Sequence, residues 1–358
     1  MLRAYKYRLL PNITQSIGFS KTFGCVRFFW NKQAEIFNSY NKENNDKVVY
    51  KTSTEFRNEI AWMREVSAAA LQQKEIDFKE YKKQRFNKKR KEKLGKPVFK
   101  KRHERQSFRL PNGKFYIIGD RIQIEKIGKV KFIQDRPLPE NCKLMSVTVS
   151  KDTTGAYYAS ILVETQIIHY EKTGKSVGVD VGVKSFAKLS DGTEIRNPHF
   201  FRDSQARLKR AQRRLRRKQK GSRRRNKCRL KVAKLYKQTA NQRNNFLQVE
   251  STRIVKNYDI IKIEDLNVEG MMQNRRLAKS IADAYFSKFF LMLEYKCKWY
   301  GKTLIKIPRF YPSSKMCSCC GSVKKELKLS ERTYHCDVCG HEEDRDLNAA
   351  KNINAMGV

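Results

Sequence analysis

Two short cysteine motifs constrain the fold more than any other feature of the sequence. Cys317 and Cys320 are separated by two residues, as are Cys336 and Cys339, and a glycine follows each pair. Zinc bound by four thiolates prefers a tetrahedron, and two tight turns that each supply two sulfurs can provide one. The spacing therefore predicts a zinc ribbon. Because four protein ligands leave no open position, its zinc is expected to be structural.

The other cysteines do not suggest disulfide bonds. Four stand alone in the sequence: Cys25, Cys142, Cys228 and Cys297. Cys319 lies inside the first pair at a spacing unsuited to acting together with Cys317. Scattered thiols are typical of a reducing compartment. The sequence contains no run of about 18 apolar residues and no apolar leader at its start, so we expect a cytoplasmic protein without a membrane partner.

The charge of the chain indicates a polyanionic partner. Its 358 residues include 78 Lys and Arg against 36 Asp and Glu, a net charge of +42, whereas small soluble domains usually carry about 2 to 8. Residues 82–105 contain thirteen Lys or Arg, and residues 207–237 contain seventeen. The first segment is either a solvated loop or an arm that contacts a nucleic-acid backbone, and the total charge favours the arm.

In the N-terminal half, residue patterns predict helices followed by a β domain. Residues 4–9 read as a short strand, and residues 14–41 and 54–91 show apolar residues at helical spacing. An apolar stripe is predicted for the second helical region, formed by Trp62, Val66, Ala69 and Ile76. Residues 108–164 contain five short β-rich runs separated by turn residues, which predicts a small antiparallel barrel.

In the C-terminal half, strands and helices alternate. Residues 177–189 read as one strand that forms a hairpin with residues 193–196. Residues 207–237 predict two basic helices joined near Gly221, with a disordered basic tail as the alternative. A further strand, helix and strand are predicted over residues 259–266, 281–300 and 303–307. This order fits an α/β layer.

Three acidic residues stand at the ends of these predicted elements. Asp180 is flanked by Val179 and Val181, Glu264 closes the second strand, and Asp346 opens a helical segment. A carboxylate in a core strand is costly unless a cation or partner lies beside it. We therefore expect the three acids to form a site for two Mg²⁺ ions, which would hydrolyse a phosphodiester.

Neighbouring residues admit other interpretations. An Asp two residues before a Gly in a strand, here Asp180 and Gly182, also occurs in sugar kinases and actin-like ATPases. The second phosphate loop and the adenosine site that those proteins require are missing from this sequence. Asp265 and Asp344 are expected to cap helices or turns. Gly178 and Gly182 are expected to let the backbone and a phosphate approach each other.

The sequence resembles the TnpB family of transposon-encoded RNA-guided DNA endonucleases, which is related to type V CRISPR effectors. The resemblance runs along nearly the whole chain and is most specific in its C-terminal half. It rests on AYKYRLLPN near the start, TFGCVRFFWNK at 22–32, VGVDVGVKSFAKLSDG at 177–192, IEDLNVEGM at 263–271, and the run from FYPSSKMCSCCG to DRDLNAAKNI at 310–353.

The resemblance implies a multidomain fold that combines α/β and β-barrel parts. A wedge β-barrel domain is interrupted by a helical recognition domain, and an RNase H-like RuvC nuclease domain with a zinc-ribbon insert follows. The implied bounds are 1–11 with 108–172 for the wedge, 12–107 for the recognition domain, 173–309 with 344–358 for RuvC, and 310–343 for the ribbon.

The resemblance also implies the chemistry and the partners. The catalytic, Mg²⁺-binding trio falls on Asp180, Glu264 and Asp346, and the zinc ligands are the four cysteines of the paired motifs. The implied partners are a guide RNA (ωRNA) encoded by the element and double-stranded target DNA with a short flanking motif, bound by a protein expected to be monomeric. The alternatives are a nuclease-inactive RNA-guided repressor, which should have lost one of the three acids, and an accessory transposase.

Overall fold

The chain divides into two compact units, residues 1–166 and 167–358. The computed structural model describes residues 1–39, 49–90, 92–166, 169–275, 278–328 and 331–357. Within these ranges, no helix combines the length and the apolar character that a membrane span requires.

The first unit is built on one antiparallel sheet of seven strands. Its strands are β1 (Leu2–Leu10), β2 (Gln106–Pro111), β3 (Phe115–Ile118), β4 (Arg121–Ile124), β5 (Gly128–Ile133), β6 (Lys143–Lys151) and β7 (Tyr157–Glu164). The spatial order is β2-β6-β7-β1-β5-β4-β3, so the N-terminal strand lies at the centre. Tyr5, Tyr7 and Leu9 alternate with exposed residues along β1 and point into the core.

The predicted barrel is an open sheet. Over the described residues, β2 and β3 are its two edges and no ladder joins them, which makes it a half-barrel. The five predicted β-rich runs are all strands and correspond to β3, β4, β5, β6 and β7. The additional strand β2 was not predicted, because only Phe108 and Leu110 show its alternating pattern and Pro111 ends it.

Three helices accompany this sheet: α1 (Ile13–Ser39), α2 (Ser53–Glu59) and α3 (Ala68–Arg85), with a 3₁₀ turn at Ala61–Glu65. The aromatic residues of α1 enter the core, where Phe19 stacks on Tyr157 with ring centroids 5.4 Å apart. Lys91, the predicted end of the second helical region, lies outside the described residues. The region between residues 54 and 85 is divided into two helices and the 3₁₀ turn.

The predicted apolar stripe is half wrong. Val66 and Ala69 are buried, but Trp62 and Ile76 are exposed. Trp62 lies in the 3₁₀ turn, where three residues complete a turn, so an α-helical spacing does not continue through it. In α3 the buried face includes Leu71 and Phe78, and Ile76 lies off that face.

The second unit contains a mixed sheet of five strands. They are β8 (Ser176–Val181), β9 (Ser185–Leu189), β10 (Glu194–Arg196), β11 (Ile260–Glu264) and β12 (Thr303–Ile307), in the order β10-β9-β8-β11-β12. β8, β11 and β12 are parallel, and β9 and β10 are antiparallel additions. The single strand predicted over 177–189 is wrong: the chain reverses between β8 and β9. Its near-continuous apolar pattern hid the turn because both strands are buried in one core.

Helices cover this sheet and form a basic hairpin. They are α4 (Phe200–Arg216), α5 (Arg223–Asn257), α6 (Val268–Gln273), α7 (Ala278–Ala284), α8 (Phe286–Tyr300) and α9 (Arg345–Ala355). The prediction of two basic helices is confirmed, and Ser222 caps α5 by accepting a hydrogen bond from the Arg225 N–H (3.1 Å). The helix predicted over 281–300 is broken, because Tyr285 between α7 and α8 has a φ of +59°.

Candidate active site and metal centre

Asp180 lies near the end of β8, the middle strand of the five-stranded sheet. Its side chain keeps some accessible surface but is closely surrounded by protein atoms. This desolvation raises the pKa of Asp180 well above its usual 3.8, and the carboxylates of Glu264 and Asp346 raise it further, while Arg345 opposes them. The three acids therefore share one electrostatic environment.

Glu264 is the last residue of β11, which runs parallel beside β8. Parallel strands bring their carboxyl ends to the same edge of a sheet, which explains why Glu264 lies near Asp180. The Ser313 hydroxyl donates a hydrogen bond to Glu264 Oε1. Glu264 thus has one oxygen engaged by the protein, and its orientation depends on a residue 49 positions further along the chain.

Asp346 lies in the first turn of α9, which begins beside the same edge. Asp344 is the N-cap, since its carboxylate accepts a hydrogen bond from the Leu347 N–H at 2.9 Å. This confirms the capping role predicted for Asp344. The other acid considered as a structural residue, Asp265, instead pairs with Arg309 at 2.9 Å.

Gly178 allows α9 to lie against β8. A Cβ atom at this position would be 2.1 Å from the Ala350 carbonyl oxygen and 2.5 Å from the Asn354 nitrogen. Such distances are impossible without moving the helix. The glycine predicted to admit a phosphate therefore admits the backbone of α9, and this close contact brings Asp346 towards Asp180.

Lys262 holds the other end of α9. It lies on β11 directly beside Gly178, and its Nζ donates to the carbonyls of Asn354 (2.7 Å) and Met356 (2.6 Å). A cation at a helix C-terminus satisfies carbonyls that have no partner within the helix and opposes the negative end of its dipole. The position of α9 is thus determined by a glycine at its middle and a lysine at its end.

The four cysteines of the paired motifs form a compact cluster. Their sulfurs all lie within 4.8 Å of one another, with 3.7 Å between Cys317 and Cys339 and 3.6 Å between Cys320 and Cys336. A tetrahedral zinc with Zn–S bonds of about 2.3 Å places its sulfurs about 3.8 Å apart. The cluster could therefore hold a metal ion of this kind. The exposed Cys319 is not part of it.

The two cysteine turns are built alike. In each, the glycine N–H donates to the carbonyl of the first cysteine at 3.0 Å, and Gly321 and Gly340 have φ values of +75° and +69°. Residues with a Cβ rarely adopt this conformation, which explains the glycine after each pair. A short hairpin, β13 (Thr333–His335) and β14 (Glu342–Asp344), connects the second turn to α9.

The thiols do not ionise alike. The hydrogen bond with the Ser322 hydroxyl (3.1 Å) and nearby backbone N–H groups lower the pKa of Cys336 to about 5. At Cys339 a bond from the His341 backbone favours the thiolate, but contacts with neighbouring sulfurs dominate and raise the pKa to about 12. Metal binding by all four would therefore release protons.

The three carboxylates differ from this cluster in how the chain brings them together. Asp180, Glu264 and Asp346 come from three separate elements, β8, β11 and α9, whereas the four cysteines come from two adjacent turns. These three acids were predicted from the sequence, but Ser313, Lys262 and Arg345 were not. Only Arg345, beside Asp346, carried a sequence signal, because a basic residue next to an acid at a helix start is visible in the motif DRDLNAAKNI.

The basic helical hairpin forms a positively charged cleft. Between α4 and α5 lies an open cleft of about 380 Å³, lined by Arg207, Arg210, Ala211, Arg214, Cys228, Lys231 and Leu235. No Asp or Glu occurs between Ser204 and Val249, so the charged residues that α4 and α5 contribute to this cleft are all basic. Such a surface attracts polyanions.

The other basic segment, residues 82–105, is partly attached to α1. The Trp30 indole N–H donates to the Val98 carbonyl (3.1 Å), and Asn31 exchanges two hydrogen bonds with the Lys100 backbone (2.8 and 3.1 Å). The Lys100 ammonium lies 3.9 Å from the Trp30 ring, and burial lowers its pKa to about 8. This part of the segment is neither a free loop nor a free arm.

Comparison with known proteins identifies the family. Family models described as "Probable transposase", "Cas12f1-like, TNB domain" and "Helix-turn-helix domain" match residues 160–275, 286–353 and 1–44. A relative from Streptomyces pristinaespiralis, named "Putative RNA-guided DNA endonuclease", is 38% identical over 99% of this chain and 89% of its own length. A similarly named relative from Escherichia coli, InsQ, is 31% identical over 99% of this chain and 92% of its own. The chain belongs to the TnpB family.

A solved structure supports the fold. The Cas12f1 protein in a cryo-EM complex with sgRNA and target DNA matches with a TM-score of 0.54 at 14% identity, over 95% of this chain and 82% of Cas12f1. At this identity the likeness shows the fold alone, which is a Cas12-like α/β fold. The region matched as a helix-turn-helix domain contains β1 and the single long helix α1 among its described residues.

Proposed function

We propose that this protein is an RNA-guided DNA endonuclease encoded by a transposon, and that Asp180, Glu264 and Asp346 form its Mg²⁺-dependent, RuvC-type cleavage site. The observation that carries the proposal is the convergence of three acids at one edge of the sheet: Asp180 on β8, Glu264 at the end of the neighbouring parallel strand β11 and Asp346 in the first turn of α9. The pKa of Asp180, raised by burial and by the other two carboxylates, agrees with this placement. Acids that repel one another at the edge of a sheet, beside a helix start, are typical of functional sites. The names of the relatives in the TnpB family describe the same activity.

The residues present fit divalent metal ions, because carboxylate oxygens are the ligands that Mg²⁺ takes and the charges of Glu264 and Asp346 raise the pKa of Asp180. When bound, two Mg²⁺ ions would supply an activated water and stabilise the leaving oxygen. Asp180, Glu264 and Asp346 would be the residues that hold these ions.

The cysteine cluster is proposed to hold a structural zinc, and the basic surfaces to bind nucleic acid. We propose the domain division drawn from the resemblance: wedge, recognition domain, RuvC and ribbon. The partners would be a guide RNA and target DNA with a short flanking motif, and a monomer is the proposed state. In this scheme base pairing selects the target, and the protein contacts the heteroduplex backbone.

The test begins with the protein purified from cells that carry its native locus. Copurifying RNA is sequenced, and cleavage of a plasmid with a matching target is measured with Mg²⁺. We expect one RNA of defined sequence and Mg²⁺-dependent cutting that Asp180→Ala abolishes. The absence of such an RNA, or full cleavage by the variant, would contradict the proposal.

A second experiment tests the basic hairpin. Replacing Arg210 or Arg214 with Gln should weaken binding to all targets alike and reduce the slope of log affinity against log salt by about 1 for each phosphate that the side chain no longer neutralises. A variant that bound only some target sequences less tightly would show that these residues read bases.

Two other functions are distinguished by the same assays. A nuclease-inactive RNA-guided repressor would bind the target without cutting it, but the intact acidic trio argues against this. An accessory transposase is favoured by the description of one matching family model. It would join DNA strands at transposon ends, which strand-transfer assays with the purified protein would detect.

A further inference from the structure

Ser313 links two distant parts of the second unit. It is buried in the turn between β12 and the first cysteine pair. The turn is closed without its side chain, because the Pro312 carbonyl accepts the N–H groups of Lys315 (3.0 Å) and Met316 (2.9 Å). The hydroxyl is therefore available for Glu264, to which it donates.

Two asparagines of α9 hold this segment in place. Asn352 Nδ2 donates to the carbonyls of Ser313 (2.8 Å) and Met316 (2.6 Å). One turn earlier, Asn348 donates to the Met316 carbonyl (2.7 Å) and accepts from the Ser318 N–H (2.9 Å). Both side chains are almost fully buried. Met316 and Ser318 flank the cysteine ligand Cys317, so α9 is bound directly to the first cysteine turn.

We propose that Ser313 is a positioning residue for Glu264, and that Asn348 and Asn352 connect it to the order of the cysteine cluster. The inference rests on the proposed cleavage function. A hydroxyl that donates to one oxygen of a carboxylate fixes the orientation of that group and leaves the other oxygen to face a cation. The cysteine cluster thus supports the cleavage site through α9, although its metal has no open position for chemistry.

The geometry argues against a merely structural role for Ser313. A hydroxyl needed only to close its own turn would bond to nearby backbone, as Ser222 does at the start of α5. Ser313 instead bonds to the carboxylate proposed to bind Mg²⁺. Groups that orient metal ligands in this way typically contribute about 10–100-fold to metal affinity or activity.

The first test compares Ser313→Ala with Ser313→Thr and with Ser314→Ala. Ser314 is a matched control, since its side chain makes no hydrogen bond within the described part of the chain. Mn²⁺ binding to the full-length protein, freed of RNA, is measured by electron paramagnetic resonance, and Asp180→Ala defines the signal of this site. Zinc content is measured in parallel.

We expect Ser313→Ala to weaken Mn²⁺ binding by about 10–100-fold with zinc content unchanged. Ser313→Thr, which keeps the hydroxyl, should bind more tightly than Ser313→Ala, and Ser314→Ala should match the unmodified protein. Equal affinities for Ser313→Ala and Ser314→Ala would overturn the inference. Should the unmodified protein bind Mn²⁺ but cleave no DNA, the proposed function would fail while the positioning role stood.

A second test addresses the connection to the cysteine cluster. Cys320→Ser removes a ligand on the exposed side of the cluster and should also weaken Mn²⁺ binding. If Cys320 and Ser313 act through the same hydrogen bonds, the double variant should lose less Mn²⁺ affinity than the product of the fold-losses of Cys320→Ser and Ser313→Ala. Fully multiplicative losses would show that the cysteine cluster does not act through Ser313, and unchanged Mn²⁺ binding by Cys320→Ser would show that it does not support the site.

Discussion

The cysteine cluster and the carboxylate cluster are assembled in opposite ways. All four cysteines lie within 23 residues of sequence, and two nearly identical turns bring their sulfurs to within 4.8 Å of one another. The three carboxylates come from β8, β11 and α9, which are separated by long stretches of chain. The first cluster is local, whereas the second exists only when a parallel sheet and a helix have packed.

The electrostatics of the two clusters differ as well. Hydrogen bonds lower the pKa of Cys336 to about 5, so part of the cysteine cluster is prepared for a metal. Burial and neighbouring carboxylates raise the pKa of Asp180. Without cations to neutralise it, the ionised form of Asp180 therefore costs free energy in the folded protein. In a structural metal site the protein can stabilise the charges of the ligands fully. A site that activates water benefits from ligand charges that only the bound cations neutralise.

Loss of the zinc proposed at the cysteine cluster should have the largest effect on stability. Structural zinc typically contributes about 10–16 kcal/mol to the folding of small zinc domains. We expect Cys336→Ser to abolish zinc binding and to expose residues 310–343 to limited proteolysis. Cys319→Ser is the matched control and should keep both its zinc content and its resistance to proteolysis. Equal protease resistance in the two variants would mean that the ribbon folds without metal.

Asp180→Asn should separate activity from stability. We expect the cleavage rate to fall at least about a thousandfold. This is more than the loss of about 10–100-fold that is typical when a residue that only orients a metal ligand is replaced. Because the folded pKa of Asp180 is raised, the metal-free protein binds more protons folded than unfolded and loses stability as pH rises above 3.8 towards the raised value. The variant cannot ionise at this position, so in buffer without Mg²⁺ or Mn²⁺ its thermal stability should exceed that of the unmodified protein increasingly with pH.

The control for this experiment is Asp265→Asn, which removes an exposed acid paired with Arg309. Melting temperatures in buffer without Mg²⁺ or Mn²⁺ across a pH series measure the effect, and each kcal/mol corresponds to about 2–4 °C in a unit of this size. If Asp180→Asn instead lowered the melting temperature by the same amount at every pH, ionisation of Asp180 would not be what destabilises the folded protein.

Gly178→Ala should damage the carboxylate site and spare the cysteine cluster. Its Cβ would lie 2.1 Å from the Ala350 oxygen, and overpacking of this kind typically costs about 1–3 kcal/mol. We expect lower thermal stability and much reduced cleavage with normal zinc content. Gly24→Ala, where a Cβ meets nothing within 4 Å, is the control and should be neutral or slightly stabilising. Full cleavage by Gly178→Ala would show that α9 need not lie this close.

Lys262→Met should have the smallest effect. The variant keeps the apolar stem but cannot form the two hydrogen bonds to the end of α9, and we expect a loss of about 1–2 kcal/mol. Hydrogen exchange should accelerate in the last turn of α9, while the cysteine turns stay protected. The exposed Lys306 on β12 offers a control, because Lys306→Met should leave α9 unchanged.

Sequence patterns identified features that depend on local chemistry. The paired cysteines, the N-cap Asp344 and the basic helices joined near Gly221 follow from spacing and residue type, and the structure contains each of them. The turn between β8 and β9 was missed because buried strands on both sides of it have the same apolar composition. The predicted apolar stripe failed at Trp62, which lies in a 3₁₀ turn where an α-helical spacing does not hold, and at Ile76, which lies off the buried face of α3.

The sequence by itself determined the residue types of both clusters, and for the cysteines also their geometry, because four ligands on two short turns can reach one ion without help from the rest of the chain. Only the tertiary structure decided how Asp180, Glu264 and Asp346 meet. Their proximity depends on contacts between distant segments: Gly178 against α9, Lys262 at the end of that helix, and Ser313 on Glu264. Such contacts leave no periodic signal, since each depends on a single residue whose partner is set by packing.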